Sequence, residues 1–137
     1  MSIDHSFKIN KILLVDDEPS ICESLQGYLE DAGYEVSVAY NGQEALDYLG
    51  VFDADLVILD LYMPAMNGHE VLLRLAESHP ELPKLVISGI CDESIRLRAL
   101  DEGAWDYLQK PVTDLSILDR KILSFEERYE AVRVVNC

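Results

Sequence analysis

Two short runs, Ile12-Leu-Leu-Val-Asp-Asp-Glu18 and Leu56-Val-Ile-Leu-Asp60, decide how this chain folds. Each is four apolar residues with no polar alternation, closed by acid. A strand with one wet face alternates, whereas a continuous apolar run is buried on both faces, as in the middle of a parallel sheet. Working outward, five short runs read as strands: Lys11–Asp16, Tyr34–Ala39, Leu56–Asp60, Lys84–Ser88 and Asp106–Gln109. Helix-length segments separate them. Pro19 suits a first helical turn, and Ile21, Leu25, Tyr28 and Leu29 recur on one face after it. Asn41-Gly-Gln-Glu44 and Asn67-Gly-His-Glu70 have the spacing of capping boxes, Asp92 caps a fourth helix, and Gly103 supplies a left-handed helix end. The order βαβαβαβαβα predicts an α/β three-layer sandwich, flavodoxin-like (βα)5, with strand order 2-1-3-4-5.

The 137 residues suit one domain, and 49% hydrophobic with 27% charged residues is an ordinary globular mixture. A formal charge of −15 repels nucleic acid and anionic lipid, so neither is expected as a direct partner. The deficit is uneven. Residues 1–70 hold 14 acids against Lys8 and Lys11, while residues 71–137 hold 12 acids against 9 bases. Cys22, Cys91 and Cys137 fit neither a zinc site nor a disulfide framework, which points to a reducing, cytoplasmic setting. Met1 to Asn10 lack the basic and apolar regions expected of a signal peptide, and no apolar run in the sequence reaches the length of a membrane span.

In this topology ligands bind beyond the carboxyl ends of the strands, between the first and third. There the sequence places Asp16-Asp17-Glu18 and Asp60, three or four carboxylates in one crevice. Carboxylates so crowded repel unless a hard cation joins them, and an all-oxygen site suits Mg²⁺ or Mn²⁺. The fourth strand ends in Ser88-Gly89 and the fifth in Lys110-Pro111. A carboxylate nucleophile, a hydroxyl, an ammonium and a metal cluster together make a phosphoryl-transfer site.

Asp16-Asp17, Leu59-Asp-Leu-Tyr-Met-Pro64 with Gly68 following, Ser88 and Lys110-Pro111 resemble, in order and spacing, the motifs of response regulator receiver domains of two-component systems, the CheY-like superfamily. The resemblance implies a receiver domain over residues 10–123; residues 1–9 are expected to be a flexible segment, and 124–137 an extension of the last helix that serves as a linker to an output domain or as a dimerisation segment. It implies that Asp60 is the phosphoacceptor, phosphorylated from a sensor histidine kinase or phosphotransfer protein, with the chain catalysing only its own phosphorylation and dephosphorylation. Asp17 and Asp60 would ligate Mg²⁺ directly, Asp16 mainly through water, and the Tyr62 main-chain carbonyl would add a ligand. Lys110 would pair with the phosphoryl oxygens, and Pro111 would follow a cis peptide bond. Ser88 would move toward the phosphoryl group, with Tyr107 swinging inward behind it. Ser88 stands where Thr is more frequent and Gly89 where Ala is usual, and both changes loosen the loop.

An aspartate-nucleophile, Mg²⁺-dependent phosphohydrolase is the competing reading, but such enzymes need an acid/base carboxylate two residues after the nucleophile, where this chain has Tyr62. That bulky ring is expected to screen an acyl phosphate on Asp60 from water. Tyr62→Asn is therefore expected to release inorganic phosphate faster than the wild type; equal release rates would show that the ring shields nothing.

The remaining signals are structural. His5, His69 and His79 read as surface residues, Trp105 as packing near the last strand, and Cys91 as a half-buried thiol rather than a redox handle. Leu115, Leu118, Ile122, Phe125, Tyr129 and Val132 are spaced like a coiled-coil seam. Its first half covers the sheet. Beyond about Phe125 the helix is expected to continue outward, pairing with a second copy or leading into an output domain. A homodimer is expected through this helix or the face made by helix 4, strand 5 and helix 5.

Overall fold

A computed structural model describes residues 7–63, 65–90 and 92–135, with side chains described through 131. The strands are β1 (Lys11–Val15), β2 (Glu35–Ala39), β3 (Leu56–Leu59), β4 (Lys84–Ser88) and β5 (Asp106–Gln109). They alternate with α1 (Pro19–Asp31), α2 (Gly42–Leu49), α3 (Gly68–Ser78), α4 (Glu93–Asp101) and α5 (Ser116–Val135). The sheet is wholly parallel in the order β2-β1-β3-β4-β5, so the predicted topology holds. Both quoted runs are buried on both faces. Leu13, Val15, Val57 and Leu59 join the core on one side of the sheet, and Ile12, Leu14, Leu56 and Ile58 the core on the other.

The helix starts follow the predicted chemistry. Asn41 and Asn67 side chains accept from the N–H groups of Glu44 and Glu70 at 2.9 and 3.0 Å, and Asp92 accepts from Ser94 at 2.9 Å. Each satisfies a backbone donor that the first helical turn leaves free. Gly103 closes α4 at φ +116°, where a side chain would be strained.

Three expectations need correction. His69 is buried rather than exposed, its Nδ1 against the Glu102 carboxylate at the end of α4. Phe7 and Ile9, expected in a flexible segment, are held against α5: the Ile9 N–H donates to Glu126 at 2.8 Å, and the Phe7 ring stacks on Tyr129 at 4.0 Å. The apolar stripe of α5 stays covered past Phe125 as far as Tyr129, because Trp105 meets Phe125 edge-on at 5.7 Å and Phe7 stacks on Tyr129, while the helix itself runs on to Val135. Short flanking segments widen the sheet's cover beyond what strand lengths alone suggest. His5, Cys91 and the side chain of Val132 lie outside the described residues. No helix among the described residues is long and apolar enough to cross a membrane.

Lys84, at the start of β4, has only 1% of its surface exposed, and its ammonium donates to the His79 carbonyl at 3.2 Å, capping the end of α3. Burial pushes its pKa below that of a free lysine. Between that lowered value and the ordinary one the unfolded chain binds more protons, so stability from this group rises with pH. In urea unfolding, the stability of Lys84→Met relative to wild type should therefore fall as pH is raised from about 7 toward about 10; a difference independent of pH would contradict the desolvation.

Candidate functional site

At the carboxyl edge of the sheet, each strand hands its next residue to a neighbour. The Asp16 N–H donates to Ala39 at 3.1 Å, Asp60 N–H to Val15 at 2.9 Å and Lys110 N–H to Ser88 at 2.8 Å. Continuing register therefore fixes the backbones of Asp16, Asp60 and Lys110 beyond the strand ends. Asp16 and Asp60 are both buried at 6% exposure.

The two aspartates are held alike. Asp16 Oδ1 accepts from the Glu18 N–H at 3.0 Å, and Asp60 Oδ1 from the Tyr62 N–H at 3.2 Å. Each turn leaves Oδ2 free to meet Lys110, whose Nζ lies 2.8 Å from Asp16 and 3.1 Å from Asp60. Glu18 adds a third contact at 3.3 Å. Asp17, half-buried beside them, has no hydrogen-bond partner among the described residues.

One carboxylate oxygen from each of Asp16, Asp17, Glu18 and Asp60 falls within a cluster spanning 4.8 Å. Four carboxylates against one ammonium leave three formal negative charges uncompensated. That charge and an all-oxygen donor set fit a hard divalent cation, so these residues could hold a metal. Burial raises the Asp60 pKa above the ordinary value, against the opposing pull of the Tyr62 N–H and Lys110. Burial also acts to lower the pKa of Lys110, but its hydrogen bonds and attraction to Asp16 and Asp60 outweigh it and raise the value. The lysine stays charged. Cys22 lies beneath, its thiol pushed up to about 11 by burial and the nearby Asp16, and so is protonated at neutral pH.

The loop after β3 carries two tight features. A Cβ on Gly68 would lie 2.5 Å from Leu61 Cα and 2.6 Å from the Asp60 carbonyl oxygen, so only glycine fits there. Ala65 adopts φ +68°, the left-handed region that residues with a Cβ seldom enter.

Ser88 is fully buried and Tyr107 partly so, and both grip one residue. Ser88 Oγ accepts from the Ile90 N–H at 3.3 Å, and the Tyr107 hydroxyl donates to the Ile90 carbonyl at 2.6 Å. Gly89 between them is exposed, with open space where a Cβ would stand. The Lys110–Pro111 peptide bond is cis.

The site residues expected from the sequence thus lie at or beside this edge. Asp16, Asp17, Asp60 and Lys110 form one cluster, Ser88 and Gly89 lead into the adjoining β4–α4 loop, and Tyr107 on β5 holds that loop through Ile90. Glu18 joins the cluster as a fourth carboxylate, which its place beside Asp17 already suggested. Ile90 had no signal, because its part is played by backbone groups.

A family model described as the response regulator receiver domain matches residues 12–121. Response regulator MprA of Mycolicibacterium vanbaalenii is 41% identical over 110 residues, covering 80% of this chain and 48% of that protein. Transcriptional regulatory protein DltR of Streptococcus agalactiae is 36% identical over 110 residues, covering 80% of this chain and 49% of its own. The chain spans about half the length of these curated relatives. Among solved structures, a CheY-like receiver domain protein from Methanospirillum hungatei superposes with a TM-score of 0.84 at 30% identity, covering 90% of this chain and 98% of that one. A receiver domain protein from Clostridium thermocellum gives 0.81 at 31% identity, covering 90% and 99%.

Proposed function

Because this chain belongs to the response regulator receiver domain family, we propose that it is a two-component signalling switch phosphorylated on Asp60. The observation that carries the reading is Lys110, whose ammonium joins Asp16 and Asp60 inside the carboxylate cluster. A sensor histidine kinase or phosphotransfer protein supplies the phosphoryl group, in the cytoplasm. An Asp60 carboxylate oxygen attacks phosphorus, the P–O bond forms as the P–N bond of phosphohistidine breaks, and the departing imidazole takes up a proton. Partial burial strips water from the attacking carboxylate, and Lys110 meets the incoming phosphoryl oxygens.

Asp16, Asp17, Asp60 and the Tyr62 carbonyl would hold Mg²⁺, with Mn²⁺ able to serve in its place. The ion supplies charge neutralisation on the transferred group. Once phosphorylated, Asp60 competes for the Ser88 hydroxyl, which frees the Ile90 N–H. The open space around Gly89 lets the peptide turn, and the Tyr107 hydroxyl then leaves the Ile90 carbonyl and the ring moves inward. A swing from 1:99 to 99:1 requires about 5.5 kcal/mol of differential stabilisation between the two loop states. The signal passes to an output domain or partner, or through self-association. Since the α5 stripe is covered as far as Tyr129, the α4–β5–α5 face is the better place for a second copy.

Incubation with acetyl phosphate, followed by intact-mass measurement, is expected to show one phosphoryl adduct only when Mg²⁺ is present. An adduct equally abundant without Mg²⁺ would remove the metal from the reading. Steady phosphate release with no adduct would point to the phosphohydrolase instead.

A further inference from the structure

The opposite edge of the sheet, at the amino ends of the strands, holds a cleft of about 450 Å³ that the phosphoryl chemistry does not use. One wall is the end of α3 and the turn after it, with Pro80 and Glu81; the other is the loop before β3, with Asp53. Phe7 and Tyr129, stacked at 4.0 Å, line it from the segment before β1 and the far part of α5. Asp53 and Glu81 are exposed, and neither has an ion-pair or hydrogen-bond partner among the described residues. The nearby Lys84 ammonium is buried on the His79 carbonyl. Immediately before Asp53, Val51 and Phe52 expose 77% and 58% of their surface. Aromatic walls and free carboxylates therefore line one cleft, and Val51 and Phe52, the latter packed on Tyr48 at 5.0 Å, lead the chain into it at Asp53.

We propose that this cleft docks a basic segment of a partner protein, one in which arginine or lysine alternates with apolar residues. A single-sign cleft with apolar walls concentrates its field on an entering cation. Arginine can pair with Asp53 or Glu81 while its guanidinium lies against an aromatic ring, and apolar neighbours can cover Val51 and Phe52. A second copy of this chain fits poorly. Its formal charge is −15, Arg74 and Arg96 are paired with Glu70 and Glu93 on their own helices, and Arg128 lies over Trp105. The cleft is also remote from Asp60. Asp55, at its edge, and Asp60 flank the four residues of β3, and five residue steps at about 3.3 Å each give roughly 17 Å. A partner seated here leaves the carboxylate cluster open to a phosphodonor, so the inference stands whether or not Asp60 is the phosphoacceptor.

Amide NMR titration of the chain with a short peptide of alternating arginine and leucine tests this. Expected are saturable shifts confined to residues around 53–55 and 78–83 and to Phe7 and Tyr129, with affinity about tenfold weaker in an Asp53→Lys/Glu81→Lys variant. That variant should form the acetyl phosphate adduct to the same extent as wild type, since neither residue touches the Asp60 cluster. A peptide in which glutamate replaces arginine should not bind. Shifts spread over the whole acidic surface, shifts centred on Asp16 and Asp17, equal binding to the charge-reversed variant, or concentration-dependent shifts without peptide would each overturn the proposal.

Discussion

An Asp60→Asn protein is expected to yield no phosphoryl adduct with acetyl phosphate and Mg²⁺, while remaining folded. The site is nearly symmetric about Lys110, which touches Asp16 at 2.8 Å and Asp60 at 3.1 Å, so proximity to the lysine does not select between the two carboxylates. Position in the sheet does. β3 is the central strand, with β1 on one side and β4 on the other. Asp60 therefore stands between the acids that follow β1 and the Ser88 hydroxyl that ends β4. Asp16 is two strand spacings from Ser88, roughly 10 Å, too far for one phosphoryl group to bridge. The substitution should not harm the fold at neutral pH. A carboxyl whose pKa burial has raised is less stable ionised in the folded chain than in the unfolded one, so Asn removes a penalty. Comparing intact masses and urea midpoints of the two proteins checks both halves. An adduct of wild-type abundance in the variant would move the chemistry to another residue.

Gly68→Ala is expected to destabilise the domain by about 1–3 kcal/mol, the usual scale for forcing extra volume into a packed site. Its Cβ would fall 2.5 Å from Leu61 Cα and 2.6 Å from the Asp60 carbonyl, and both are backbone atoms with no rotamer to escape into. The loop would have to lift, carrying Asp60 out of the cluster, so adduct formation should slow as well. Helix propensity acts the other way, favouring Ala by about 0.5–1 kcal/mol. Gly27, exposed in α1 with nothing within 4 Å of its Cβ position, isolates that term. Gly27→Ala should therefore stabilise the protein, and equal effects at the two positions would mean that the close approach at Gly68 is not felt.

The fold was legible because its signals are local and repeat. Continuous apolar runs such as Leu56–Leu59 state burial on both faces, and Asn41, Asn67 and Asp92 mark helix starts through side chains that reach only two or three residues. Asp16 and Asp60 could be brought together on paper because strand order places the ends of β1 and β3 side by side, and Lys110 because β5 ends at the same edge of the parallel sheet. What could not be read depends on a third dimension. His69 lies two residues after the exposed cap Asn67, and only its contact with Glu102, 33 residues on, makes it a buried group. Lys84 opens a strand where charge is ordinary, yet its amine turns inward to cap α3. The α5 stripe reads as a seam awaiting a partner, and the cover comes from Trp105, whose packing role the sequence suggested, and from Phe7, which nothing in the sequence marked. Ile90 matters through its amide and carbonyl, which no side chain records.

The claim on which the functional account rests is that Asp60 carries the phosphoryl group. Treating the acetyl phosphate product with borohydride reduces an aspartyl phosphate to homoserine, and peptide mass spectrometry then locates it. Homoserine at position 60 alone is the expected result. Homoserine at Asp16 or Asp17, or a phosphoryl group that survives borohydride on another residue, would contradict it.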